Sequence, residues 1–478
     1  MRPNHIYHIF PLGALFNSYD RFCDEKKANT CCASHRNIRE LAKIIPHLES
    51  LRVDSVLLGP VFRSETHGYD VTDMYQLDPR LGKNVDLKNM VQEFHNAGFH
   101  VFFDAVWNHS SRHHFAYRDL REKGQNSPYA CWYRNPRFNT PNLCGDSFTV
   151  DCWGGFQELP AFNLQNPEVE RELIHCAEYW MDEFGIDGIR IDAAEDMDLD
   201  FLHHLAFACH RKRADFWMMG EVVFGNPKRW LDIGLNSVTN YQTYKSCWSS
   251  LNDGNMFELA YNLNQLFDDK VGSCKGARLQ LFNENHDTNR IYSQLKNKRD
   301  NFVQHLLFYT MPGVPTIYYG EEFCLGAIKG GIDDWNLRPP MRIEQGKIYF
   351  DDFQRSVKGP SMNMNSSGEE ELLPEIRHLA SIHLGSDALR DGGYQQEFVH
   401  SLQFAFWRTH RNGDALVLVN LQDSTVQFEI DVSRRFASDS HVNILKDLLS
   451  NECIKISQGK ITIKIPPKWG RILVPNGI

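Results

Sequence analysis

Residues 168–220 contain EVERELIHCAEYWMDEF (168–184), GIRI (188–191), LDFLHHLAFACHR (199–211) and FWMMG (216–220). The first and third segments are long and amphipathic, as in surface helices, whereas the second and fourth are short apolar runs typical of buried strands. Strands that alternate with helices in this way predict βαβ units and a parallel sheet.

The same alternation extends over much of the chain. Further short apolar runs lie at 5–12, 53–58, 101–106, 237–241, 277–282 and 314–318. Further amphipathic segments lie at 37–51, 87–96, 256–267, 301–309 and 372–383. About eight strands favour a closed barrel over an open doubly wound sheet. We therefore predict an α/β fold, an eight-stranded parallel β/α (TIM) barrel.

Two regions depart from this repeat. Residues 108–163 are polar and aromatic and too long for an ordinary loop, so we predict a small inserted domain after strand 3. From about Glu397 the pattern changes to alternating strands without helices of comparable length, which predicts a C-terminal antiparallel β domain. The predicted boundaries are 1–107 and 164–388 for the barrel, 108–163 for the insert and 389–478 for the C-terminal domain.

Composition limits the partners and the location. The formal net charge of the 478-residue chain is -10 and no clustered basic run is present, so nucleic acid is excluded as the main partner. No segment approaches the roughly 20 apolar residues that cross a bilayer, and the N-terminus has no signal-peptide pattern, so we expect a cytoplasmic protein without a membrane partner. The 12 cysteines are scattered, which favours reduced thiols, although a disulfide among Cys131, Cys144 and Cys152 remains open.

Polar residues follow several predicted strands. In a β/α barrel the carboxyl ends of the strands form the reactive face, and here they lead into Asp104, Asp192, Glu221 and Asp287. Arg190 and Asp192 are two residues apart on one strand, so both side chains point to the same face and the guanidinium can keep Asp192 ionised. Glu221 has only apolar neighbours in sequence, which favours the neutral form that a general acid needs. Cleavage of a glycosidic bond requires two such carboxyl groups.

Four segments resemble the shared regions of glycoside hydrolase family 13, the α-amylase family, in the same order. They are VFFDAVWNH (101–109), GIDGIRIDAAE (185–195), MMGEVV (218–223) and FNENHDTNR (282–290). Three further segments agree: HGYDVTDMYQLDPRLG (67–82), LPAFN (159–163) and PGVPTIYYGEE (312–322). The resemblance covers nearly the whole chain and implies a retaining glycoside hydrolase with a covalent glycosyl-enzyme intermediate.

The resemblance also implies roles for individual residues. Asp192 corresponds to the nucleophile, Glu221 to the acid/base, and Asp287 to a third carboxylate that holds substrate hydroxyls. The implied substrate-binding residues are Tyr69, as an aromatic platform, with His109, Arg190 and His286. Asp104 corresponds to a position that braces Arg190.

The sequence after the nucleophile narrows the resemblance. Many starch-degrading α-amylases continue into Lys-His, whereas Ala193-Ala194-Glu195-Asp196 here is more similar to the cyclomaltodextrinase and neopullulanase branch. That branch usually begins with an extra β domain that helps to form a dimer, and this chain starts almost at once with the first barrel strand, so both a monomer and a homodimer remain open. No cofactor is predicted; a structural calcium ion is possible but not predicted, because no ligands for it can be identified.

Three functions remain to be separated. The first is hydrolysis of α-1,4-glucosidic bonds in malto-oligosaccharides, cyclodextrins or starch-type α-glucans. The second is transfer of the glucosyl unit to another sugar through the same intermediate. The third is a non-catalytic sugar-binding relative, which the presence of all three carboxylates disfavours.

Overall fold

The computed structural model describes residues 1–16, 36–330, 334–344, 347–350, 372–436 and 442–476. The chain divides into two compact units. The first unit comprises Met1–Glu49, Val53–Thr239 and Arg338–Asp351. The second unit comprises Ser50–Arg52, Asn240–Leu337 and Asp352–Ile478.

The first unit is built on a parallel sheet. Its strands are β1 (Ile6–Ile9), β2 (Ser55–Leu58), β3 (Phe62–Ser64), β4 (Val71–Leu77), β5 (His100–Ala105), β6 (Gly188–Ile191), β7 (Trp217–Gly220) and β8 (Ser237–Val238). Six of them are hydrogen-bonded side by side in the order β8–β7–β6–β5–β2–β1, and the described pairs are parallel. Strands β3 and β4 form an antiparallel pair. Strands β1, β2, β6 and β7 are buried throughout, which agrees with their mainly apolar sequences.

Helices connect these strands. They are α1 (Pro11–Leu15), α2 (Ile45–Ser50), α3 (Asn84–Asn96), α4 (Phe115–Lys123), α5 (Pro167–Glu183), α6 (Leu199–Lys212) and α7 (Lys228–Asp232). Helix α5 illustrates why they form where they do. Asn166 caps its first turn by accepting a hydrogen bond from the Glu168 N–H, and Pro167 occupies the first helical position, where its missing N–H costs nothing. Val169, Leu173 and Ala177 recur on its buried face.

The second unit contributes a further parallel pair, β9 (Gln280–Leu281) and β10 (Val314–Tyr318). Its helices are α8 (Tyr241–Asp253), α9 (Met256–Phe267), α10 (Ile291–Gln294), α11 (Asp300–Thr310), α12 (Leu372–Gly385) and α13 (Asp387–Asp391). Together the units supply eight parallel strands, the number in a β/α barrel. A short antiparallel hairpin, β11 (Met341–Glu344) and β12 (Lys347–Phe350), belongs to the first unit.

The C-terminal part of the second unit is antiparallel. Its strands are β13 (Gly393–His400), β14 (Gln403–Thr409), β15 (Ala415–Asn420), β16 (Val426–Asp431), β17 (Ile444–Asp447), β18 (Cys453–Lys455), β19 (Lys460–Ile465) and β20 (Trp469–Pro475). Six of them form one sheet in the order β13–β14–β15–β20–β17–β18, and β16 pairs with β19. Every second residue of β19 is buried (Ile461, Ile463 and Ile465), as expected for a strand with one face on a core. The predicted change from alternating α/β to all-β structure is thus observed.

A buried arginine joins this sheet to the preceding helices of the second unit. Arg408 on β14 is 1% exposed and donates to four backbone carbonyl oxygens, those of Thr310, Leu389, Gly392 and Gly393, over 2.6 to 3.0 Å. Burial lowers the pKa of Arg408 to about 9.

Among the described residues, no helix is both long enough and apolar enough to cross a bilayer. Cys131, Cys144 and Cys152, whose pairing the sequence left open, are free thiols. Cys23, Cys31 and Cys32 lie outside the described residues.

Candidate active site

The ends of three neighbouring strands in the first unit bring charged side chains together. Arg190 on β6 lies opposite Asp104 on β5 and Met219 on β7. Side chains two residues apart on a strand share a face, so Asp192 just after β6 and Glu221 just after β7 lie on the side of Arg190. The register of the sheet, rather than nearness in sequence, thereby assembles the cluster.

The Arg190 guanidinium lies at the centre of this cluster. Its Nη1 atom is 2.7 Å from both carboxylate oxygens of Asp104 and 3.1 Å from Oδ1 of Asp192, and its Nη2 atom is 2.8 Å from Oε1 of Glu221. The side chain is 4% exposed. Burial works against its charge, but the carboxylates of Asp104 and Glu221, followed by Tyr69 and Asp192, raise the pKa of Arg190. The predicted bracing of Arg190 by Asp104 is observed.

The environment of Glu221 differs from the sequence-based expectation. Its sequence neighbours are apolar, but the register of β6 and β7 gives it a cationic partner, Arg190. Its second oxygen, Oε2, accepts the N–H of Ala193 over 3.1 Å. Three carboxyl groups therefore share one guanidinium in a buried setting.

The loop after Asp192 turns back towards Glu221. Ala193 has left-handed backbone angles (φ 48°, ψ 37°), which are uncommon for a residue with a side chain. This conformation directs the Ala193 N–H to the Glu221 carboxylate. Behind the turn, Trp230 donates its indole N–H to the carbonyl oxygen of Ala194 over 3.2 Å. A strained backbone held on both sides is common at active sites.

Tyr69 and His109 adjoin the cluster. The Tyr69 hydroxyl donates to Oδ2 of Asp104 over 3.0 Å, and His109 Nε2 donates to the Tyr69 carbonyl oxygen over 3.0 Å. Because a carbonyl oxygen can only accept, the proton of neutral His109 is on Nε2 and its Nδ1 is an acceptor. Nδ1 is buried and has no hydrogen-bond partner among the described residues. Burial lowers the pKa of His109 to about 4.

A row of rings leads from His109 towards the surface. The His109 ring stacks on Trp153 with centroids 5.5 Å apart, and Trp153 stacks on Phe156 at 6.1 Å. Trp153 also donates its indole N–H to Asp196 over 3.0 Å, and Phe156 is 58% exposed. Trp107, in contrast, is fully buried against Trp180.

The buried carboxylate of Asp146 contacts several side chains between residues 112 and 142. Asp146 accepts from Arg112 (2.6 Å), Arg121 (2.8 Å), Asn142 (2.8 Å) and the Tyr117 hydroxyl (3.1 Å). Although burial works the other way, Arg112 and Asn142 lower the pKa of Asp146. Two guanidinium groups at one carboxylate do not fit a bound cation. No group of three or more metal-ligating side chains was found in the described part of the chain.

The two remaining predicted site residues lie in the second unit, on the loop after β9. His286 is buried, and its Nε2 atom is 2.8 Å from Oδ2 of Asp287. The Asp287 N–H donates to the side-chain oxygen of Asn285 over 2.9 Å, and its carboxylate is 34% exposed. The structure thus brings Tyr69, His109, Arg190, Asp192 and Glu221 together in the first unit, and pairs His286 with Asp287 in the second.

The same loop contains a brace that sequence reasoning missed. Arg290 donates to the carboxylate of Glu284 over 2.6 Å and to the carbonyl oxygens of Tyr319 and Leu337 over 2.9 Å each. Its guanidinium carbon lies 4.3 Å from the centre of the Tyr318 ring. Glu284 also accepts the N–H of Ile291 over 2.5 Å. Both residues lie within FNENHDTNR, but their spacing alone did not indicate a contact.

Comparison with known proteins identifies the family. The family described as "Alpha amylase, catalytic domain" matches residues 20–357. A cyclomaltodextrinase from Thermoanaerobacter pseudethanolicus is 26% identical over 430 residues, which cover 87% of this chain and 69% of that protein. A maltogenic α-amylase from Bacillus acidopullulyticus is 29% identical over 310 residues, 61% of this chain and 51% of that protein.

A solved structure has the same fold. The crystal structure of a debranching enzyme from Nostoc punctiforme superposes with a TM-score of 0.79 at 23% identity, and the match covers 98% of this chain and 97% of that one. This likeness confirms the predicted class, a β/α barrel with a C-terminal antiparallel β domain. The chain belongs to the α-amylase family of glycoside hydrolases, glycoside hydrolase family 13.

Proposed function

We propose that this enzyme is a retaining hydrolase of α-1,4-glucosidic bonds in malto-oligosaccharides, cyclodextrins or starch-type α-glucans. The observation that carries the proposal is that Asp192 and Glu221, at the ends of adjacent strands, both contact the Arg190 guanidinium. Retaining glycosidases use a carboxylate nucleophile and a carboxyl acid/base on either side of the scissile bond.

The first step transfers the sugar to the protein. The Asp192 carboxylate attacks the anomeric carbon while Glu221 donates its proton to the glycosidic oxygen, so the leaving sugar departs as an alcohol. The contact with Arg190 supports ionised Asp192, and the contacts with Arg190 and with the Ala193 N–H hold the Glu221 carboxyl group in place.

The second step releases the sugar. Glu221, now ionised, takes a proton from a water molecule, which attacks the anomeric carbon and restores the Asp192 carboxylate. Both steps invert the anomeric carbon, so its configuration is retained overall. The reaction needs no redox or metal cofactor, and we propose that none is required.

The surrounding residues fit the binding of a glucosyl unit. The Tyr69 ring is fixed at both ends, through its hydroxyl on Asp104 and its carbonyl on His109, and can act as a rigid platform for the C–H face of a sugar. His109 Nδ1, an acceptor without a partner in the described residues, suits a sugar hydroxyl. By their place in FNENHDTNR, His286 and Asp287 are proposed to bind substrate hydroxyls as well.

The proposed substrate class follows from the relatives and the charge. Relatives are named cyclomaltodextrinase and maltogenic α-amylase, names that refer to α-glucans of modest size. A formal net charge of -10 is compatible with a neutral sugar.

A panel of sugars tests this proposal. The purified protein is incubated with maltotriose, β-cyclodextrin, pullulan and soluble starch, and products are followed by chromatography and, for anomeric configuration, by proton NMR. We expect reducing products whose first-formed anomer is α, with small or cyclic maltodextrins cleaved faster than starch.

Asp192→Asn is the control, because it keeps the size of the side chain and removes the nucleophilic charge. Full activity of this variant, or a first product of β configuration, would contradict the retaining mechanism. Longer sugars formed at high substrate concentration would indicate transfer instead of hydrolysis.

A further inference from the structure

Glu195 links the two loops that carry the proposed nucleophile and acid/base. Its Oε2 atom accepts the backbone N–H groups of Val223 over 2.7 Å and Phe224 over 2.8 Å. Its own N–H donates to the carbonyl oxygen of Glu221 over 3.2 Å. One residue of the Asp192 loop therefore binds the segment 221–224 at three points.

This segment has no regular structure of its own. It follows β7 without forming a helix or strand, and Phe224 at its end is 77% exposed. The Val222 N–H is bound separately, by the Thr239 hydroxyl over 2.8 Å. Because Glu195 accepts the next two N–H groups, its loss would leave the backbone just after Glu221 without these two bonds.

The charge of the Glu195 carboxylate strengthens these hydrogen bonds. Hydrogen bonds to a carboxylate are stronger than those between neutral groups, and Glu195 is only half-buried, so its charge is not costly. The left-handed turn at Ala193 brings Glu195 to this position three residues after Asp192. The same turn sends the Ala193 N–H to Glu221 Oε2.

We propose that Glu195 is a positioning residue that sets the orientation of the Glu221 carboxyl group for proton transfer. The proposal rests on the proposed role of Glu221 as acid/base. Glu195 does not react: it fixes the backbone from which the acid projects, relative to the loop that carries Asp192.

Misplacement of an acid has a specific kinetic signature. A leaving group that is already a weak base needs little protonation, whereas a strongly basic one depends on the acid. Loss of Glu195 should therefore slow the cleavage of a poor leaving group more than that of a good one. A residue that only binds substrate or stabilises the fold would affect both equally.

The experiment uses two substrates of similar shape, phenyl α-maltoside, with a poor leaving group, and 4-nitrophenyl α-maltoside, with a good one. We expect Glu195→Ala to lose at least about tenfold more kcat/KM on the phenyl than on the nitrophenyl substrate. Glu195→Gln keeps a side-chain oxygen that can accept both N–H groups and should retain most of the activity on both. Glu122→Ala, at an exposed glutamate of α4, is the control and should match the wild type.

Glu221→Gln is measured beside them to separate the two proposals. If Glu221→Gln shows the selective loss and Glu195→Ala does not, the positioning role is wrong and the acid/base assignment stands. If Glu221→Gln shows no selective loss, the acid/base assignment itself fails. An equal loss on both substrates by Glu195→Ala, including one caused by unfolding, overturns the positioning role.

Discussion

Arg190 in the first unit and Arg290 in the second are both buried and both contact carboxylates, but the charge around them differs. Arg190 contacts three carboxyl groups, those of Asp104, Asp192 and Glu221. Among the described residues Arg290 contacts one, Glu284, and its other partners are two carbonyl oxygens and two aromatic rings.

This difference in charge leads us to expect that the Arg190 cluster acts in catalysis and that Arg290 stabilises the fold. Around Arg290 one positive charge meets one carboxylate and dipoles, so the group is balanced and serves the structure. Around Arg190 three carboxyl groups meet one guanidinium, so negative charge is in excess, which opposes folding. Substitutions in the Arg190 cluster should therefore change activity more than stability. Substitutions around Arg290 should change stability more than activity.

The largest expected effect is that of Asp192→Asn. We expect kcat to fall on the order of 10⁴-fold or more, because the substitution removes the proposed nucleophile of the covalent intermediate. The unfolding temperature should stay the same or rise, since one of three crowded charges is removed. Steady-state rates and thermal unfolding of the same preparation check both halves, and a marked loss of stability would break the comparison.

Glu221→Gln should have the next largest effect, a loss of about 10²- to 10⁴-fold in kcat. The amide oxygen can replace only one of the two carboxylate oxygens that accept from the Ala193 N–H and the Arg190 guanidinium, so a small loss of stability should accompany the loss of activity. Exogenous azide, a nucleophile that needs no general base, should partly restore turnover with an activated substrate and give a glycosyl azide. Absence of that product would argue against an acid/base role.

Arg290→Ala should reverse the pattern. Removal of one partner from a buried ion pair costs about 3–5 kcal/mol of the free energy of unfolding. Burial and the neighbouring Glu321 raise the pKa of Glu284 to about 8, so without Arg290 this buried carboxyl group loses its cationic partner and takes up a proton. Urea unfolding measures this. Arg39→Ala is the matched control: Arg39 pairs with Glu93 at the surface, where such a pair contributes about 0–1 kcal/mol. Equal costs for the two variants would refute the structural role of Arg290.

His109 sharpens the comparison through pH. The folded state keeps His109 neutral down to about pH 4, whereas in the unfolded state it is protonated near 6.5. The stability linked to neutral His109 is thus present above about pH 6.5 and is lost as the pH falls towards 4. Relative to His109→Gln, the wild type should lose about 2 kcal/mol of unfolding free energy between about pH 7 and pH 5. Parallel curves for the two proteins would contradict the burial of a neutral imidazole.

Elements with a strong apolar pattern could be predicted from sequence. Strands Gly188–Ile191 and Val314–Tyr318 and helix Met256–Phe267 have the expected bounds. Helix Tyr241–Asp253 was missed, because its buried face consists mainly of small or polar residues. They are Thr243, Ser246, Cys247, Ser249, Ser250 and Leu251. A burial pattern built from such residues leaves no apolar stripe to read.

In the candidate site, too, some contacts could be predicted from sequence and others could not. Asp192 and Arg190 could be linked from sequence because they are two residues apart on one strand. The contact of Arg190 with Glu221 and the contacts of Glu195 with Val223 and Phe224 depend on the register between neighbouring strands and on a left-handed turn. Neither the register nor the turn is encoded by a local pattern, and the assigned roles themselves stay predictions.

Arg408 has a consequence for how such a chain can evolve. Its guanidinium is the hydrogen-bond donor for the carbonyl oxygen of Thr310, at the end of helix α11, and for that of Leu389 in α13. If the chain ended before β14, these two carbonyl oxygens would lose the side chain that donates to them. The C-terminal sheet is thus not a detachable module that recombination can add or exchange freely, because a replacement has to bring its own hydrogen-bond donor to the carbonyl groups of Thr310 and Leu389.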